Sequence, residues 1–598
     1  MATVSVLDGA FMMMERLEQK ALKAVYDTIY KRIGNKDYVD INLPYEAADN
    51  YYNLKTNKRI DEFIYLEKQW YTKIFEPTTF FILGPKGSGK TLFAAYMCAK
   101  KRSRTKSKSY SLDVGDYGKL IRMKNDNHLQ YTDYSTMWKV ILLQKFLFGI
   151  MNDKRKALKG IDVISNNILY NITDDSFNPV TYIDSIEKQE EVSNYLEDQG
   201  SIEAKNQLLS TSYNISGKNA ERAQNTANQK KEQVSSICKD VWNRSIHELT
   251  KSIEALPIKN NHYLFVDGLD VRPSDIDTKE YSECIGALIR AVYDINISIF
   301  GNMLGKRKKS LKIVALTRTD IFLNSHIINA TNLIHDNCIE FDWTCINEKE
   351  IKNSYLYKMM NRVLGWKRGN KEYLFDRNNS FMATLTNSIF GWDEKDKACP
   401  VEHYFNFDIK NRHNKQIDAT TYIMRLSRLR PRDLIVIFNR IQEECKKQGV
   451  NNPNGNVLES SSFRNNYSHY YADQIKSELQ FRYTESEVDT ILNLTKMIRL
   501  RSFSEKVIIR MFDINAERKR LLETVFDSYK DFLNVLYSLN IIGWTEASAN
   551  KKIKVHWCYR ESRINAEDMV LPWGKITSKK QVFFVVHECV GREIIGID

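Results

Sequence analysis

Short apolar runs separated by polar stretches predict a sheet of five strands in the first part of the chain. The first, third and fourth runs are almost continuously apolar, which is typical of strands buried on both faces of a parallel sheet. The segments between them have helical periodicity, so the predicted fold class is α/β with crossover helices. The predicted strands cover residues 79–83, 109–114, 262–267, 311–317 and 338–343.

The polar stretches divide the chain into predicted domains. The stretch between the second and third strands is far longer than a βαβ connection requires and is rich in Asn, Ser, Gln, Lys and Glu, which indicates a helical, polar insertion. The Asn-rich stretch 451–456 predicts a linker. The predicted domains are an N-terminal helical segment (1–58), the first part of the core (59–151), the insertion (152–255), the second part of the core (256–346), a helical lid (347–450) and a C-terminal domain (466–598).

The sequence GPKGSGKT lies between the first predicted strand and a helical run. This is the G-x-x-x-x-G-K-[ST] spacing of a phosphate-binding P-loop in its required context. Glycines let the loop turn tightly and point N–H groups at a phosphate, while the following helix adds a positive dipole. We expect Lys90 to reach the β- and γ-phosphates and Thr91 to bind Mg²⁺. The predicted nucleotide-binding residues are Gly84, Pro85, Lys86, Gly87, Ser88, Gly89, Lys90, Thr91 and Leu92.

Two acids follow the third predicted strand, in the sequence LFVDGLD. A buried parallel strand that ends in a carboxylate delivers an oxygen ligand to the sheet edge where nucleotides bind. Asp267 is therefore the predicted Mg²⁺ ligand opposite Thr91, and Asp270 the residue that orients the attacking water. The alternative for both is an ordinary turn residue at a strand end.

Three arginines are predicted to contact phosphate. Arg318 follows the fourth predicted strand and is the candidate sensor of the γ-phosphate, with an ion pair to Asp320 as the alternative. Arg430 and Arg432 flank Pro431, which is suited to the first turn of a helix. They would then lie at a helix start, within reach of a nucleotide, and the alternative is that they pair with local acids.

The last part of the chain has three helical runs (487–500, 504–512 and 520–540) followed by strand-like segments, which predicts a winged-helix-like domain. Such a module binds DNA in some proteins and braces other domains in others. His556 with Cys558, and His587 with Cys589, each lie on one face of a strand. A zinc site is conceivable there, although packing of these side chains on the sheet is the favoured interpretation.

Composition narrows the function classes. The chain has 598 residues, 42% of them hydrophobic, with a formal net charge of +13. Nine scattered cysteines without a C-x-x-C pair indicate reduced thiols and a cytoplasmic location. The most apolar long run, 137–151, contains two lysines and is expected to be a core helix rather than a membrane span. The basic runs 100–108 and 306–309 are either solvated loops or contacts to DNA or RNA.

The motifs together resemble the signal-transduction P-loop ATPases related to AAA+ proteins, of the NACHT and KAP type. The residues that carry the resemblance lie in GPKGSGKT, LFVDGLD, IVALTRTDIF and RLRPRDLI. The similarity is greatest to ATPases encoded in bacterial anti-phage defence loci, and the insertion is not covered by it. The resemblance implies a P-loop NTPase core with sheet order 5-1-4-3-2, a helical lid and a winged-helix domain. NACHT-type proteins often continue DGLD with a glutamate, whereas Val271 stands here, which implies slow hydrolysis or a nucleotide used as a latch.

The expected function is an ATP- and Mg²⁺-dependent switch. By resemblance, it would form a homo-oligomer and act through an effector protein encoded nearby, with no membrane contact, as one subunit of an anti-phage defence system. The first alternative is a DNA-engaged AAA+ initiator or remodeller, motivated by the predicted winged helix and the basic runs. The second is a scaffold in which the nucleotide is structural.

Overall fold

The computed structural model describes the larger part of the chain. The predicted N-terminal segment (1–58) and most of the insertion (152–255) lie outside the described residues. The described residues are 68–99, 104–112, 117, 133–152, 242–243, 245–247, 249–256, 258–270, 272–273, 276–307, 309–325, 327, 330–345, 348–367, 400–410, 414, 416–547, 553–560, 570–578 and 582–596.

Two compact units are formed by these residues. The first contains Ile74–Leu83 and Lys100–Ile339 and holds the parallel sheet. The second contains Gly84–Ala99 and Glu340–Asp598, together with α1 (Lys68–Lys73). The P-loop therefore belongs to the second unit, although it directly follows the first strand of the sheet along the chain.

The sheet has the topology expected from the resemblance. Its strands run in the spatial order β2-β3-β4-β1-β5, which is the order 5-1-4-3-2. The described pairings of β2 with β3, β3 with β4 and β4 with β1 are all parallel. The strands are β1 (Phe81–Leu83), β2 (Thr105–Ser111), β3 (Asn261–Asp267), β4 (Leu311–Thr317) and β5 (Cys338–Glu340).

Strand boundaries differ from the prediction in four of the five strands, and β3 differs only by beginning one residue earlier, at Asn261. β4 has the predicted bounds, but β1 begins two residues later and β5 ends at Glu340. β2 was predicted at 109–114, which is wrong, because the strand begins at Thr105 inside the basic run 100–108. Thr105 and Ser107 are buried while Lys108 is exposed, so the side chains at the start of this polar strand alternate between a buried and a more exposed face. β2 is an edge strand, and edge lysines discourage pairing with other chains.

Helices connect the strands along the chain, and the first of them directly follows the P-loop. They are α2 (Lys90–Ala99), α3 (Tyr134–Asn152), α4 (Thr278–Asp294), α5 (Gly301–Arg307), α6 (Thr319–Asn324) and α7 (Ala330–Asn337). Between α4 and α5 the chain forms a π-helix, Ile295–Phe300. The buried Asn296 amide there accepts from Ile313 N at 3.0 Å and donates to Ile313 O at 2.8 Å, which joins this helix to the middle of β4.

One helical run among the described residues, Thr278–Leu304, is long and apolar enough by composition to cross a membrane. Half of its most apolar window is buried inside the protein, and its bond to β4 through Asn296 makes it a core helix of the sheet unit.

The second unit is mostly helical. After β5 it continues with a 3₁₀-helix, Glu348–Asn353. The remaining helices are α8 (Tyr355–Lys367), α9 (Pro400–Phe405), α10 (Ala419–Leu426), α11 (Pro431–Gln448), α12 (Gly455–Glu459), α13 (Ser461–Arg482), α14 (Glu485–Lys496), α15 (Glu505–Asp513), α16 (Ala516–Glu523), α17 (Tyr529–Ser538), α18 (Trp573–Ser578) and α19 (Arg592–Ile595).

The predicted linker 451–456 is only partly irregular. Asn454 accepts from Val457 N at 3.1 Å and so starts the short helix α12. The lid and the C-terminal domain, which were predicted as separate, lie in the same compact unit.

Two small sheets complete this unit. A hairpin of β6 (Asp408–Lys410) and β7 (Gln416–Asp418) precedes α10. The C-terminal sheet is antiparallel, with the order β10-β9-β11-β8. Its strands are β8 (Ser502–Ser504), β9 (Ile542–Ala547), β10 (Ile553–His556) and β11 (Phe583–Val586). The third predicted helical run, 520–540, is two helices, because Ser528 caps the start of α17.

Candidate functional site

The P-loop leaves the end of β1 and enters α2 at Lys90. Gly87 and Gly89 have φ angles of +83° and +96°, a region in which residues with a Cβ are disfavoured. Gly84 is required for a different reason, since a Cβ there would lie 2.7 Å from Ser88 Oγ. The three glycines thus allow a tight loop that ends on a helix N-terminus, the arrangement that binds phosphate.

The Lys90 amine lies at the loop itself. Its Nζ donates to Gly84 O at 3.0 Å and to Pro85 O at 3.2 Å, and the residue is only 7% exposed. A lysine held by loop carbonyls can transfer these hydrogen bonds to phosphate oxygens without leaving the loop. The predicted role of Lys90 is therefore compatible with its position.

A tryptophan that the sequence analysis did not identify also holds the loop. Trp343 follows β5 and donates from Nε1 to Ser88 O at 2.9 Å. Its ring contacts Trp70 of α1 at a centroid distance of 5.1 Å. The hydroxyl of Ser88 is buried and has no hydrogen-bond partner among the described residues. An unsatisfied donor in a P-loop is a group that a phosphate oxygen could satisfy.

The start of α11 lies directly against the P-loop. Pro431 occupies the first turn, as predicted, and Arg432 N donates to Gly87 O at 3.2 Å. A Cβ placed on Gly87 would be 3.1 Å from Arg432 Cβ. Arg430 and Arg432 thus lie at a helix start, as predicted, and Arg432 contacts the P-loop through its backbone. Contact of either arginine with a nucleotide stays a prediction.

Helix α13 supplies further contacts to the same group of residues. Lys86 Nζ donates to Ser477 Oγ at 2.5 Å. Arg430 Nη1 donates to Glu478 Oε1 at 2.7 Å, and both side chains are buried. The acid that pairs with Arg430 is therefore not local in sequence, and no local pattern marks Glu478 as its partner.

The turn between α10 and α11 is strained. Arg428 and Leu429 have φ angles of +49° and +54°, and neither is glycine. Arg428 is fully buried, donates from Nε to Asp433 Oδ2 at 3.1 Å, and stacks over the ring of Tyr471 at 4.2 Å. Burial opposes its charge, but Asp433 and the surrounding groups outweigh burial, so that the pKa of Arg428 is raised and it remains charged.

Tyrosines of α13 surround this turn. Tyr470 OH donates to Asp433 Oδ1 at 2.9 Å, and Tyr467 OH donates to Leu426 O at 2.9 Å. Burial, assisted by the nearby Asp433, raises the pKa of both phenols, so they act as neutral donors. Tyr471 OH donates to Asn540 O at 2.7 Å, which extends the network to the residues just before β9.

In the sheet unit, the predicted acids lie at the expected sheet edge. Asp267 is the last residue of β3, and its Oδ1 accepts from Gly268 N at 2.9 Å. Gly268, with φ of +86°, allows the turn, since a Cβ there would approach Leu112 O to 2.8 Å. Asp270 follows in the same turn and is partly exposed. β1 ends at the same edge, because Leu83 is the register partner of Thr317 at the end of β4.

Arg318 follows β4 and is buried in an ion pair with Asp320. Its Nε donates to Oδ1 at 2.9 Å and its Nη2 to Oδ2 at 2.6 Å. The ion pair named as the alternative is therefore present, and contact of Arg318 with a phosphate stays a prediction. The neighbouring hydroxyls of Thr317 and Thr319 are buried without a partner among the described residues, and the sequence analysis had assigned them no role.

The histidines and cysteines considered for zinc lie in aromatic packing. His556 stacks on Trp544 at 4.3 Å and its Nε2 lies 3.1 Å from Glu546. His587 stacks on Tyr471 at 5.5 Å. Burial, together with the charges of Arg428 and Arg560, lowers the pKa of His587 to about 3. Within the described part of the chain, no group of three His, Cys, Asp or Glu residues could hold a metal ion.

Comparisons with known proteins add no assignment. No family model matches the chain, and neither a curated protein nor a solved structure matches it. The functional interpretation accordingly depends on the geometry of the site and on the motifs.

Proposed function

We propose that this protein is an ATP-binding and ATP-hydrolysing molecular switch. The observation that carries the proposal is the P-loop itself: a strand end, two glycines with positive φ, a buried Lys90 amine on the loop carbonyls and a helix starting at that lysine. A tight glycine loop that ends on a helix N-terminus, with an ammonium beside it, is the arrangement that favours binding of a polyphosphate.

The residues that would act on the phosphates are those predicted from the sequence. Lys90 would neutralise the β- and γ-phosphates, with Arg318, Arg430 and Arg432 as further cations. Thr91 offers a hydroxyl oxygen and Asp267 a carboxylate oxygen. Oxygen atoms are the ligands that Mg²⁺ prefers, and we assign both residues as its ligands. When bound, Mg²⁺ would offset charge that develops on the phosphate oxygens. Asp270 would orient the attacking water.

The switch behaviour is supported by contacts of the P-loop within the second unit. Gly87 O is bonded to Arg432 N of α11, and Lys86 to Ser477 of α13. Filling the loop with phosphate changes the surroundings of these contacts, so nucleotide binding is coupled to the positions of both helices. An anti-phage setting, a homo-oligomer and an effector acting in trans extend this proposal on the basis of the resemblance alone.

The DNA-engaged alternative receives less support from the C-terminal sheet. α17 is the helix that a winged-helix protein would insert into DNA, but here the segment around α18 packs on it. Asn534 of α17 accepts from Leu571 N at 3.2 Å and from Trp573 Nε1 at 3.0 Å, and Lys530 lies over the Trp573 ring. This arrangement favours a bracing role for the module.

The test is nucleotide binding and turnover by wild type, Lys90→Ala and the control Lys447→Ala, which changes an exposed lysine of α11. Removing the charged hydrogen bonds of Lys90 should weaken ATP binding about tenfold to a hundredfold. Lys447→Ala should behave as wild type. ATP and GTP are both titrated, with and without duplex DNA, and particle mass is recorded. Binding that is unaffected by Lys90→Ala, or an absence of binding by wild type, would contradict the proposal, and stimulation by DNA would favour the alternative.

A further inference from the structure

The buried carboxylate of Glu478 has no role in the function proposed above. It lies on α13, and its neighbour Ser477 receives the hydrogen bond from Lys86 of the P-loop at 2.5 Å. Glu478 itself receives the hydrogen bond from Arg430 at 2.7 Å. Consecutive residues of one helix therefore hold a cation of the P-loop and a cation of the α11 N-terminus.

Arg430 lies within reach of the loop. Its Cδ is 4.0 Å from the position that a Cβ would take on Gly87. The side chains of Arg430 and Glu478 are only 5% and 6% exposed. Because both are buried, water does not screen the pair, and their attraction is stronger than that of a surface ion pair.

The pair leaves the guanidinium incompletely satisfied. Arg430 donates from Nη1, whereas its buried Nε has no hydrogen-bond partner among the described residues. Arg318, in contrast, donates from both Nε and Nη2 to the two oxygens of Asp320. Arginine favours bidentate acceptors, and a terminal phosphate offers three oxygens. Arg430 would therefore gain acceptors by moving from Glu478 to a γ-phosphate.

We propose that Glu478 and the terminal phosphate of a nucleoside triphosphate compete for Arg430. In this arrangement Glu478 is a positioning residue that holds Arg430 while no γ-phosphate is present. A diphosphate lacks the competing group and leaves the ion pair intact. The inference rests on the proposed function, because it requires a nucleotide in the P-loop.

The exchange would be transmitted through α13. Separating a buried carboxylate from the arginine it pairs with is unfavourable, so Glu478 would move toward water or toward another cation. α13 also bonds to the turn before β9 through Tyr471 OH and Asn540 O, and to the end of α10 through Tyr467. A displacement of α13 would therefore shift the segment before β9, and this is how the nucleotide state would change the conformation of the C-terminal sheet.

The experiment compares affinities for a non-hydrolysable ATP analogue and for ADP in wild type, Glu478→Gln and the control Glu443→Gln. Glutamine keeps the shape of the side chain but removes the charge that competes for Arg430. We expect Glu478→Gln to raise the ratio of triphosphate to diphosphate affinity about tenfold, or about 1.4 kcal/mol. Glu443 pairs with Arg440 on the exposed face of α11, so Glu443→Gln should leave the ratio unchanged.

A second measurement uses wild-type protein, in case Glu478→Gln does not fold. Hydrogen–deuterium exchange of peptides covering α13 should become faster with the ATP analogue and stay unchanged with ADP. An unchanged or lowered affinity ratio, or exchange that does not distinguish the two nucleotides, would overturn the inference while Lys90-dependent binding still supports the proposed function. An absence of nucleotide binding by wild type would overturn both.

Discussion

Replacing Gly87 with alanine should break the contact between the P-loop and α11. The new methyl group would lie 3.1 Å from Arg432 Cβ and 3.7 Å from Arg432 Cδ. The Arg432 backbone amide is bonded to Gly87 O across the same contact, so the helix start cannot yield without lengthening that bond. The substitution also forces alanine into a φ of +83°.

Two other glycines separate these effects. Gly89, in the same loop, has φ of +96°, and Gly449, the C-cap of α11, has φ of +66°, but a Cβ at either position meets nothing within 4 Å. In Gly89→Ala and Gly449→Ala, the free energy of unfolding should therefore fall only by the cost of the left-handed backbone, about 1–2 kcal/mol. In Gly87→Ala it should fall by a further amount of about 1–3 kcal/mol, because the new methyl group overpacks against Arg432.

The assay is hydrogen–deuterium exchange of the Arg432 amide in the protein without added nucleotide, alongside thermal unfolding of the three variants. An extra loss of about 1–3 kcal/mol at the contact corresponds to exchange about 5-fold to 150-fold faster in Gly87→Ala than in Gly89→Ala. Working without nucleotide avoids the effect that both loop variants would have on phosphate binding.

Equal exchange rates at Arg432 in Gly87→Ala and Gly89→Ala would refute this reasoning. That result would mean that the backbone conformation of the loop, and not its contact with α11, determines the local stability. A selective effect of Gly449→Ala on the amide of Arg432 would also contradict it, because Gly449 lies at the opposite end of α11.

Two further predictions concern the buried network around α13. Asp433→Asn leaves the buried charge of Arg428 without its carboxylate and should lower the free energy of unfolding by about 3–5 kcal/mol, as measured by denaturant unfolding. The control is Glu443→Gln, which breaks an exposed ion pair and should cost about 1 kcal/mol or less. A loss in Asp433→Asn no larger than in this control would contradict the prediction. The pKa of His587, lowered to about 3 by burial and nearby arginines, lies below its unfolded value of about 6.5, so below that pH the unfolded chain binds a proton that the folded chain does not. The free energy of unfolding should therefore fall as pH decreases from about 6.5 toward 3, by at most about 1.4 kcal/mol per pH unit from this group. His587→Phe should reduce the slope of the free energy of unfolding against pH, whereas the control His335→Gln, at an exposed residue, should not. An unchanged slope in His587→Phe, or an equal change in His335→Gln, would contradict the prediction.

Local patterns located the P-loop and the buried strands of the sheet. The bounds of β4 and the end of β3 at Asp267 were predicted from apolar runs, because a strand buried on both faces is mostly apolar. β2 was misplaced because an edge strand is polar on its exposed side and does not differ in composition from a loop. The π-helix after α4 also had no sequence signal, since it depends on a bond from Asn296 to the backbone of β4.

The partners of the charged residues could not be predicted in the same way. Arg318 pairs with Asp320 two residues away, and this alternative was visible in the sequence. Arg430 pairs with Glu478, which is 48 residues away on α13. Trp343 reaches Ser88 from the far end of β5. Choosing among many possible acids or acceptors requires knowing which helices pack together.

The sequence by itself determined the chemistry of the loop, because the glycine spacing, Lys90 and Thr91 act within a few residues of one another and need only a strand before and a helix after them. Only the tertiary structure decided which groups surround that loop. The contacts of Arg432, Ser477 and Trp343 with it arise from packing between elements far apart in the chain. Such contacts are selected by burial and shape across the whole unit, and no short segment encodes them.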